Sequence, residues 1–333
     1  MFYCIVNPSA RSGHGKNIYN LFEEKCKALG KPYKIFFTKG PGHALSVVKR
    51  ITDNISVKNN ENKAFASADN EPVNIVVMGG DGTINEVISG IQDFDNVRLG
   101  VVPLGSGNDF VRDLNFPKDP AVLINQILKG EVVRKLDIGN VHYDHMTKTL
   151  SRLHDERISE ERRFDVSAGI GFDAAVCEEA LSSSTKNKLN KFGLGKLTYG
   201  IIAIRQILHA DQPSCDIETD DGTHIHIDHL IFAAAMLHAY EGGGFKFAPD
   251  ADPQDGYFDL IAGGDMSIRQ IFKALPLAYF GKHYGQHGIH HVRAKEIKIT
   301  TAIPLWVHTD GEVLLKSDSI TLTCHHKKLN LLS

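Results

Sequence analysis

Short apolar runs alternate with helix-like stretches through the first 135 residues of the chain. Each run is rich in β-branched or aromatic residues and is followed by a turn and an amphipathic stretch, a pattern that predicts βαβ units on a parallel, doubly wound sheet. The candidate strands are FYCIV (2–6), YKIFF (33–37), NIVVM (74–78) and LGVVP (99–103). Before the third strand, segment 55–72 is polar and rich in Asn and Lys, and we interpret it as an exposed insertion.

The pattern changes after Arg134 to many short runs with period-two alternation, which predict a mainly antiparallel sheet. Helical patterns at 197–209 and 268–280 interrupt these runs, and the charged stretch 142–163 indicates an extended hairpin or a loose insertion. The predicted fold class is therefore α/β plus β. We place an α/β domain at 1–135 and a β domain at 136–333, and leave open a return of the last strands to the first domain.

Composition and charge fit an ordinary two-domain protein. The 333 residues are 42% apolar, enough to fill two cores of the usual size, about 150 residues per domain. Lys and Arg number 37 against 40 Asp and Glu, so the net charge of −3 disfavours nucleic acid as a partner. No leader pattern precedes the first strand, no apolar run reaches the roughly 18 residues that span a bilayer, and the five widely spaced cysteines suit a reducing compartment. We expect a cytoplasmic protein.

The strongest chemical signal is IVVMGGDGTINE (75–86), in which a buried strand ends in Gly-Gly-Asp-Gly and a helix follows at once. Glycines let backbone N–H groups approach an anion, and the helix N-terminus adds partial positive charge. Thr83 and Glu86 have the spacing of a capping box. Asp81 beside a phosphate needs a cation between the two negative groups, which indicates Mg²⁺. The alternative is a tight turn in which Asp81 serves only the backbone.

A second glycine turn of the same design follows the fourth strand, in VVPLGSGNDF (101–110), with Ser106 and Asp109 at capping-box spacing. The carboxyl ends of neighbouring parallel strands meet at one edge of a sheet, so both turns should face one crevice. The loop NPSARSGHGK (7–16) adds Arg11 and Lys16 to that edge, although its spacing does not match a Walker A loop.

Five blocks, taken in order, resemble the bacterial diacylglycerol kinase family of soluble lipid kinases. The Gly-Gly-Asp-Gly turn alone is shared with NAD kinases and phosphofructokinases, whereas the later blocks narrow the resemblance to lipid kinases. It implies an N-terminal nucleotide-binding domain, a C-terminal β-sandwich and an active site in the cleft between them. The blocks are NPSARSG (7–13), GGDGTINEVISG (79–90), PLGSGNDFVRDL (103–114), GGGFKFAPDADPQDGYFDL (242–260) and TDGE (309–312).

The resemblance also implies roles for individual residues. Asp81 and Asp109 would organise a catalytic Mg²⁺, and Glu312 would act as general base on the lipid hydroxyl. From the residues alone, Asp310-Gly311 is simply a hairpin turn and Glu312 an exposed strand residue. The residues expected to contact ATP are Asn7, Thr38, Gly79, Gly80, Asp81, Gly82, Thr83, Asn85, Ser106 and Asn108.

A second metal site is implied in the acidic segment PDADPQDGYFD (249–259). By resemblance, a structural Mg²⁺ would be bound by the Asp255 side chain and by main-chain carbonyls near Asp252 and Tyr257. The family commonly has an apolar residue where Asp252 stands, so a side-chain contribution from Asp252 stays open. The alternative is a solvated acidic turn.

Three other patterns suggest further chemistry, and each also has a purely structural interpretation. His224 and His226 would share one face of a strand, and His283 and His287 one face of a helix, but neither pair has a third zinc ligand by spacing. VSAGIGFDA (166–174) contains a weak dinucleotide-binding pattern, which we interpret as a strand-to-helix turn. The lysine-rich start of 184–208 would suit anionic headgroups, or be a surface loop.

We therefore predict an ATP- and Mg²⁺-dependent lipid kinase that converts diacylglycerol to phosphatidic acid and contacts the membrane surface peripherally. Two alternatives stay open: a kinase with a soluble acceptor, similar to NAD kinase, and a regulator that binds lipid or nucleotide without catalysis. The sequence leaves a homodimer open.

Overall fold

A computed structural model describes residues 1–10, 15–62, 72–147, 159–182 and 211–332. The chain divides by its internal contacts into two compact units. The first contains 1–138, 253–255 and 325–333, and the second contains 139–252 and 256–324. Each unit has its own apolar core.

The first unit has a parallel sheet with helices, as the sequence predicts. Its strands run in the order β2-β1-β3-β4, and the end of β14 from the last part of the chain pairs with β4. In chain order the elements are β1 (Phe2–Val6), α1 (Gly15–Ala28), β2 (Tyr33–Phe37), α2 (His43–Asn62), β3 (Val73–Gly79), α3 (Asp81–Gly90), β4 (Val97–Pro103), α4 (Asp109–Arg112), α5 (Pro120–Lys129) and the start of β5 (Val132–Tyr143). β14 spans Glu312–Leu332.

The proposed insertion at 55–72 is wrong in its first part, because α2 continues to Asn62. Ala44, Val47 and Val48 bury one face at the start of this helix. The Asn- and Lys-rich sequence that follows contains neither Gly nor Pro, the residues that interrupt a helix most strongly, so helical structure continues through it. Residues 63–71 lie outside the described part of the chain.

The second unit is built mainly from antiparallel strands, which confirms the predicted β domain. The strand order is β12-β11-β10-β7-β13-β14, with β8 and β9 continuing from β13 and β6 pairing with β5. Its further elements are β6 (Glu161–Phe164), β7 (Ser167–Gly171), α6 (Phe172–Ser182), β8 (Cys215–Thr219), β9 (His224–Ile227), β10 (Leu230–Met236), β11 (Phe258–Gly264), α7 (Ile268–Tyr279), β12 (Ile289–Ala294) and β13 (Glu296–Thr309).

Several local predictions for this unit can be compared with the structure. The ends of the charged stretch 142–163 form a hairpin, since His142 pairs with Glu161, while 148–158 lie outside the described residues. VSAGIGFDA is a strand-to-helix turn as predicted: β7 is antiparallel to both its neighbours and leads into α6. The predicted helix at 268–280 is confirmed as α7. The predicted helix at 197–209 lies outside the described residues.

The two histidine pairs are arranged differently in the structure. His224 and His226 lie on the same face of β9, as predicted, and both are close to Asp216, at 3.2 Å and 2.7 Å. His283 and His287 do not share a helix face, because α7 ends at Tyr279 and both residues lie in the following loop. Within the described ranges, no group of three or more His, Cys, Asp or Glu side chains is placed to hold a metal ion.

Candidate active site

The two glycine turns of the first unit lie against each other. β3 and β4 are parallel neighbours, and Leu104 N donates to Gly79 O over 2.7 Å where the strands end. A Cβ added to Gly80 would lie 3.1 Å from the Cα of Gly105, closer than most Cβ contacts allow. Glycine at these positions therefore permits the close approach of the two turns, and the structure brings together the two sequence signals for phosphate binding.

The carboxylates of Asp81 and Asp109 both approach Gly107. A Cβ at Gly107 would meet the Asp81 Oδ2 atom at 3.0 Å and the Asp109 Oδ2 atom at 3.4 Å. Asp81 is held in this position because its carboxylate accepts hydrogen bonds from the backbone N–H groups of Asn108 at 2.8 Å and Phe110 at 3.5 Å. Arg112 lies 3.3 Å from the Asp109 carboxylate. The first residue of α3 is thus tied to the start of α4.

The two predicted capping boxes are wrong. Glu86 does not return to the start of its own helix; it accepts from Gly42 N at 2.6 Å and Ala44 N at 3.0 Å and so serves the first turn of α2. The N-cap of α3 is Gly80. The N-cap of α4 is Asn108, whose φ of 51° lets its Oδ1 atom accept from Gly105 N at 2.8 Å. The Asp81 carboxylate thus binds the start of α4 from a neighbouring helix, whereas the N-cap of α3 has no side-chain cap hydrogen bond.

The other predicted nucleotide contacts differ in accessibility. Asn7, just after β1, donates from Nδ2 to the Thr83 hydroxyl at 3.0 Å, which joins the first loop to the Gly-Gly-Asp-Gly turn. Thr38 follows β2 and is bound through its N–H to Val6 O at the end of β1. Ser106 is exposed, whereas Asn85 is buried within α3. Asn85 is therefore placed to support the turn more than to reach a ligand.

The residues around Gly107 fit a magnesium ion. Mg²⁺ in phosphoryl-transfer sites is commonly held by one or two carboxylates together with substrate phosphates and water. Asp81 and Asp109 supply two carboxylates beside the N-terminus of α3. Because such a site takes most of its ligands from the nucleotide, it needs no protein cluster of three ligands.

The acidic segment that would hold a structural Mg²⁺ has a mixed environment. Asp252 and Tyr257 are exposed and Asp255 is half-buried. The carbonyl of Pro253 accepts from Asp137 N at 2.7 Å. A metal at this segment stays a prediction.

In the second unit, Glu312 begins β14 directly after a tight turn. Asp310 and Gly311 have φ values of 49° and 75°, as a two-residue hairpin turn requires, so the hairpin expected from Asp-Gly is confirmed. The Asp310 carboxylate accepts from three successive backbone N–H groups, those of 165–167, at 2.8 to 2.9 Å. Glu312 Oε2 lies 3.2 Å from the Arg162 guanidinium, which is 7% exposed. The turn and the guanidinium together fix the position of Glu312.

A buried histidine next to this turn was missed by the sequence analysis. His308 is completely buried, with Nε2 at 2.8 Å from Asp173 Oδ2 and 3.6 Å from Glu241 Oε1, and Ser167 Oγ donates to the same Glu241 atom at 2.7 Å. Burial lowers the pKa of His308, but the two carboxylates outweigh it and raise the pKa to about 9. Gly169 makes room for the pair, because a Cβ there would overlap Asp173 and His308.

An apolar groove adjoins these carboxylates. The groove opens to solvent, and its cavity volume is about 70 Å³. Its walls come from β10, α7 and neighbouring segments, while Asp173, Glu241 and His283 are its ionisable lining residues among those described. A groove with apolar walls and few polar groups suits a ligand that has a long apolar part and one polar end. Apolar lining residues include Ile231, Phe232, Phe247, Ile271, Leu275 and Ile289.

Comparison with known proteins identifies both units. Residues 1–141 match the diacylglycerol kinase catalytic domain, and residues 166–333 match the YegS C-terminal NAD kinase beta sandwich-like domain. The chain belongs to the diacylglycerol kinase family. Diacylglycerol kinases phosphorylate a lipid. The reaction class of the protein is therefore phosphoryl transfer to a lipid. The expected architecture of an α/β unit followed by a β-sandwich unit is likewise confirmed.

Relatives of this diacylglycerol kinase family member cover most of its length. A Bacillus subtilis (strain 168) protein named as a lipid kinase, YtlR, is 27% identical over 94% of this chain and 93% of its own. The diacylglycerol kinase of the same organism is 27% identical over 75% of each chain. A solved structure described as a diacylglycerol kinase from Bacillus anthracis has the same fold, with a TM-score of 0.71 and 23% identity over 99% of this chain and 96% of that one. In the described part of this family member, no helix has the length and apolar character needed to cross a bilayer.

Proposed function

We propose that the protein transfers the γ-phosphate of ATP, with Mg²⁺, to the hydroxyl of diacylglycerol and so produces phosphatidic acid. The apolar groove beside Asp173 and Glu241 is the observation that carries the choice of acceptor. Diacylglycerol has two acyl chains and one free hydroxyl, which match apolar walls and a small polar end. The name of the Bacillus subtilis diacylglycerol kinase supports the same choice, and the name of YtlR supports a lipid acceptor.

The first unit would bind the nucleotide. Backbone N–H groups at the start of α3 and in the two glycine turns would face the phosphates, and Asn7 and Thr83 would add polar contacts. Asp81 and Asp109 would hold Mg²⁺, which neutralises phosphate charge when bound. The hydrogen bonds from Asn108 and Phe110 to Asp81 orient its carboxylate before any ligand arrives.

The second unit would bind the acceptor and activate its hydroxyl. Acyl chains would occupy the groove, and the Glu312 carboxylate would accept the proton of the attacking hydroxyl. The hydroxyl oxygen then forms a bond to the γ-phosphorus while the bond from phosphorus to the bridging oxygen breaks, and ADP leaves. Arg162 keeps the Glu312 carboxylate in one orientation through the 3.2 Å contact.

The proposal is tested by transfer of labelled γ-phosphate from ATP to diacylglycerol in mixed micelles. Sphingosine, monoacylglycerol and NAD serve as competing acceptors. We expect labelled phosphatidic acid from the wild-type protein, no product from Asp81→Asn, and normal product from Asp53→Asn, which changes an exposed carboxylate of α2. Label in NAD alone, or ATP binding without any labelled product, would support the soluble-acceptor kinase or the regulator instead.

A further inference from the structure

Helix α7 is apolar on two faces. On one side, Ile271, Ala274 and Ala278 are buried and line the groove. On the other side, large apolar side chains face solvent at the spacing of one helix face and continue into the next turn. The exposed fractions are 39% for Ile268, 45% for Phe272, 50% for Tyr279 and 68% for Phe280. A helix that only covered the sheet would need the buried apolar face but not the exposed one.

The same segment carries positive charge and no acidic residue. Between Asp265 and Glu296 the chain has no Asp or Glu, although the protein as a whole has 40 of them and a net charge of −3. Three basic side chains, Arg269, Lys273 and Lys282, are exposed beside the apolar stripe. An apolar stripe flanked by Lys and Arg is the arrangement of helices that lie in the interface of an anionic bilayer.

We propose that this surface, formed by Ile268, Phe272, Tyr279 and Phe280 with Arg269, Lys273 and Lys282, docks on an anionic membrane. The proposal rests on the lipid-kinase function proposed above and assigns a part of the molecule to membrane contact. A second copy of the chain is a poorer occupant, because a two-fold interface would bring the three cations of each copy together without acidic partners in this segment.

Aromatic contacts hold the exposed end of the helix in place. The Tyr279 ring contacts Phe280 at 5.2 Å and Phe245 at 5.4 Å between centroids, and Phe245 stacks on Phe247 at 5.5 Å. Phe247 also lines the groove. The docking surface and the groove are thus joined by one continuous set of rings, and the helix that separates them is only about 10 Å across.

This arrangement explains how a lipid would reach the groove. A diacylglycerol molecule leaving a bilayer at the outer face of α7 would have to pass around this one helix to reach the apolar walls on its inner face. On one side of the helix its chains would pass along the rings of Phe280, Tyr279, Phe245 and Phe247. The lysine-rich segment 184–208, which the sequence offered as another headgroup contact, lies outside the described residues.

Vesicle binding of a double variant tests the proposal. Phe272→Ser with Phe280→Ser removes two exposed rings that do not line the groove. A matched control, Leu29→Ser with Val133→Ser, removes two apolar side chains of the first unit that are 55% and 48% exposed. Binding is measured by flotation with vesicles of phosphatidylglycerol and phosphatidylcholine, and with phosphatidylcholine alone.

We expect the wild type and the control to float with the anionic vesicles and the double variant to bind on the order of tenfold more weakly or worse. Raised salt should weaken wild-type binding, since the exposed cations contribute through screened interactions. Activity on a short-chain diacylglycerol dispersed as monomers should stay within about twofold of wild type in the double variant, because the groove is untouched.

Three other outcomes would contradict either the docking surface or the proposed function. Wild-type flotation in the double variant would refute the docking surface. A wild-type dimer in solution that the double variant abolishes, with no vesicle binding by either protein, would assign the surface to a second copy and also refute the proposal. If the wild type binds vesicles as expected but phosphorylates no diacylglycerol, even as monomers, the proposed function fails while the docking surface stands.

Discussion

Glu312 and His308 lie four residues apart on one hairpin but have different surroundings. Glu312 is partly exposed and contacts the guanidinium of Arg162. His308 is completely buried between two carboxylates. The sequence could mark Glu312 through the TDGE block, but its partner is 150 positions away and Asp173 is 135 positions from His308. Contacts over such distances leave no local pattern, which is why Arg162 and His308 were missed.

Replacement of Glu312 by Gln tests the proposed role of its carboxylate as the general base. The amide keeps the size of the side chain and can still accept from Arg162, but it cannot take up a proton. We expect nucleotide binding to be unchanged and the rate of phosphoryl transfer to fall by about 10² to 10⁴. The measurement is single-turnover transfer to diacylglycerol beside an ATP titration. Glu296→Gln, on the exposed side of β13, is the control; equal rates for the two variants would remove Glu312 from the mechanism.

Protonation of His308 should make the second unit more stable in acid than in mild alkali. Because burial is outweighed by Asp173 and Glu241, the folded pKa of about 9 lies above the unfolded value of about 6.5. The folded state then binds more protons than the unfolded state between these values, so the free energy of unfolding falls as the pH rises from about 6.5 to 9, by up to roughly 3 kcal/mol. Below about pH 6.5 the whole of this stabilisation by protonated His308 is present.

Urea unfolding across that pH window measures the effect. His308→Gln removes the titrating group, so the free energy of unfolding should change less with pH in this variant. His145→Gln replaces an exposed histidine of the same unit and should keep the pH dependence of the wild type. The long 3.4 Å contact from Gly311 N to His308 Nδ1 is lost when that nitrogen carries a proton, a small effect beside two carboxylates. Identical slopes for wild type and His308→Gln would show that the histidine is neutral in the folded protein.

At the scale of elements, the periodic patterns predicted the type and the order of the helices and strands. The caps and ends of the helices depend instead on neighbouring segments. The four strands of the parallel sheet follow from their apolar runs, and each glycine turn follows from its sequence. The cap on the first turn of α2 is a carboxylate from α3, and the start of α4 is bound by Asp81. The spacing of residues along the chain predicts only caps within the same helix. It could not predict that a carboxylate of one helix binds the first turn of another.

The two glycine turns act as one element, and Gly107 is the position that tests this. Gly107→Ala would place a Cβ 3.0 Å from the Asp81 Oδ2 atom and 3.4 Å from the Asp109 Oδ2 atom, so at least one carboxylate must shift. We expect Mg²⁺-dependent ATP binding to weaken by about tenfold or more with little change in overall stability. Gly40→Ala is the control, since a Cβ there would meet no atom within 4 Å and the backbone has no positive φ. Isothermal titration with and without Mg²⁺ makes the comparison.

At the scale of the whole molecule, the first unit is completed by the last residues described. β14 pairs with β13 through Thr323 in the second unit, and its final residues 330–332 then pair with β4 in parallel. Lys327 adopts a φ of 49°, and its N–H donates to the buried Asp137 carboxylate at 2.6 Å. The apolar run that ends the chain predicts a strand, but not which unit it joins, because both units offer partners for it.

This connection makes the proposed nucleotide-binding unit dependent on residues more than 200 positions from its sheet. Leu331 is completely buried beside β4, so Leu331→Ala removes methyl groups from the core of the first unit and should cost about 2 to 5 kcal/mol. Hydrogen exchange, read strand by strand, should show lost protection in β1, β3 and β4 while β7, β10 and β11 keep theirs, because each unit has a core of its own. Lys328→Ala, which changes a 45% exposed side chain of the same strand, should alter neither set. Equal loss of protection in both units would mean that they unfold as a single body, and the last strand would then stabilise the apolar groove of the second unit as much as the glycine turns of the first.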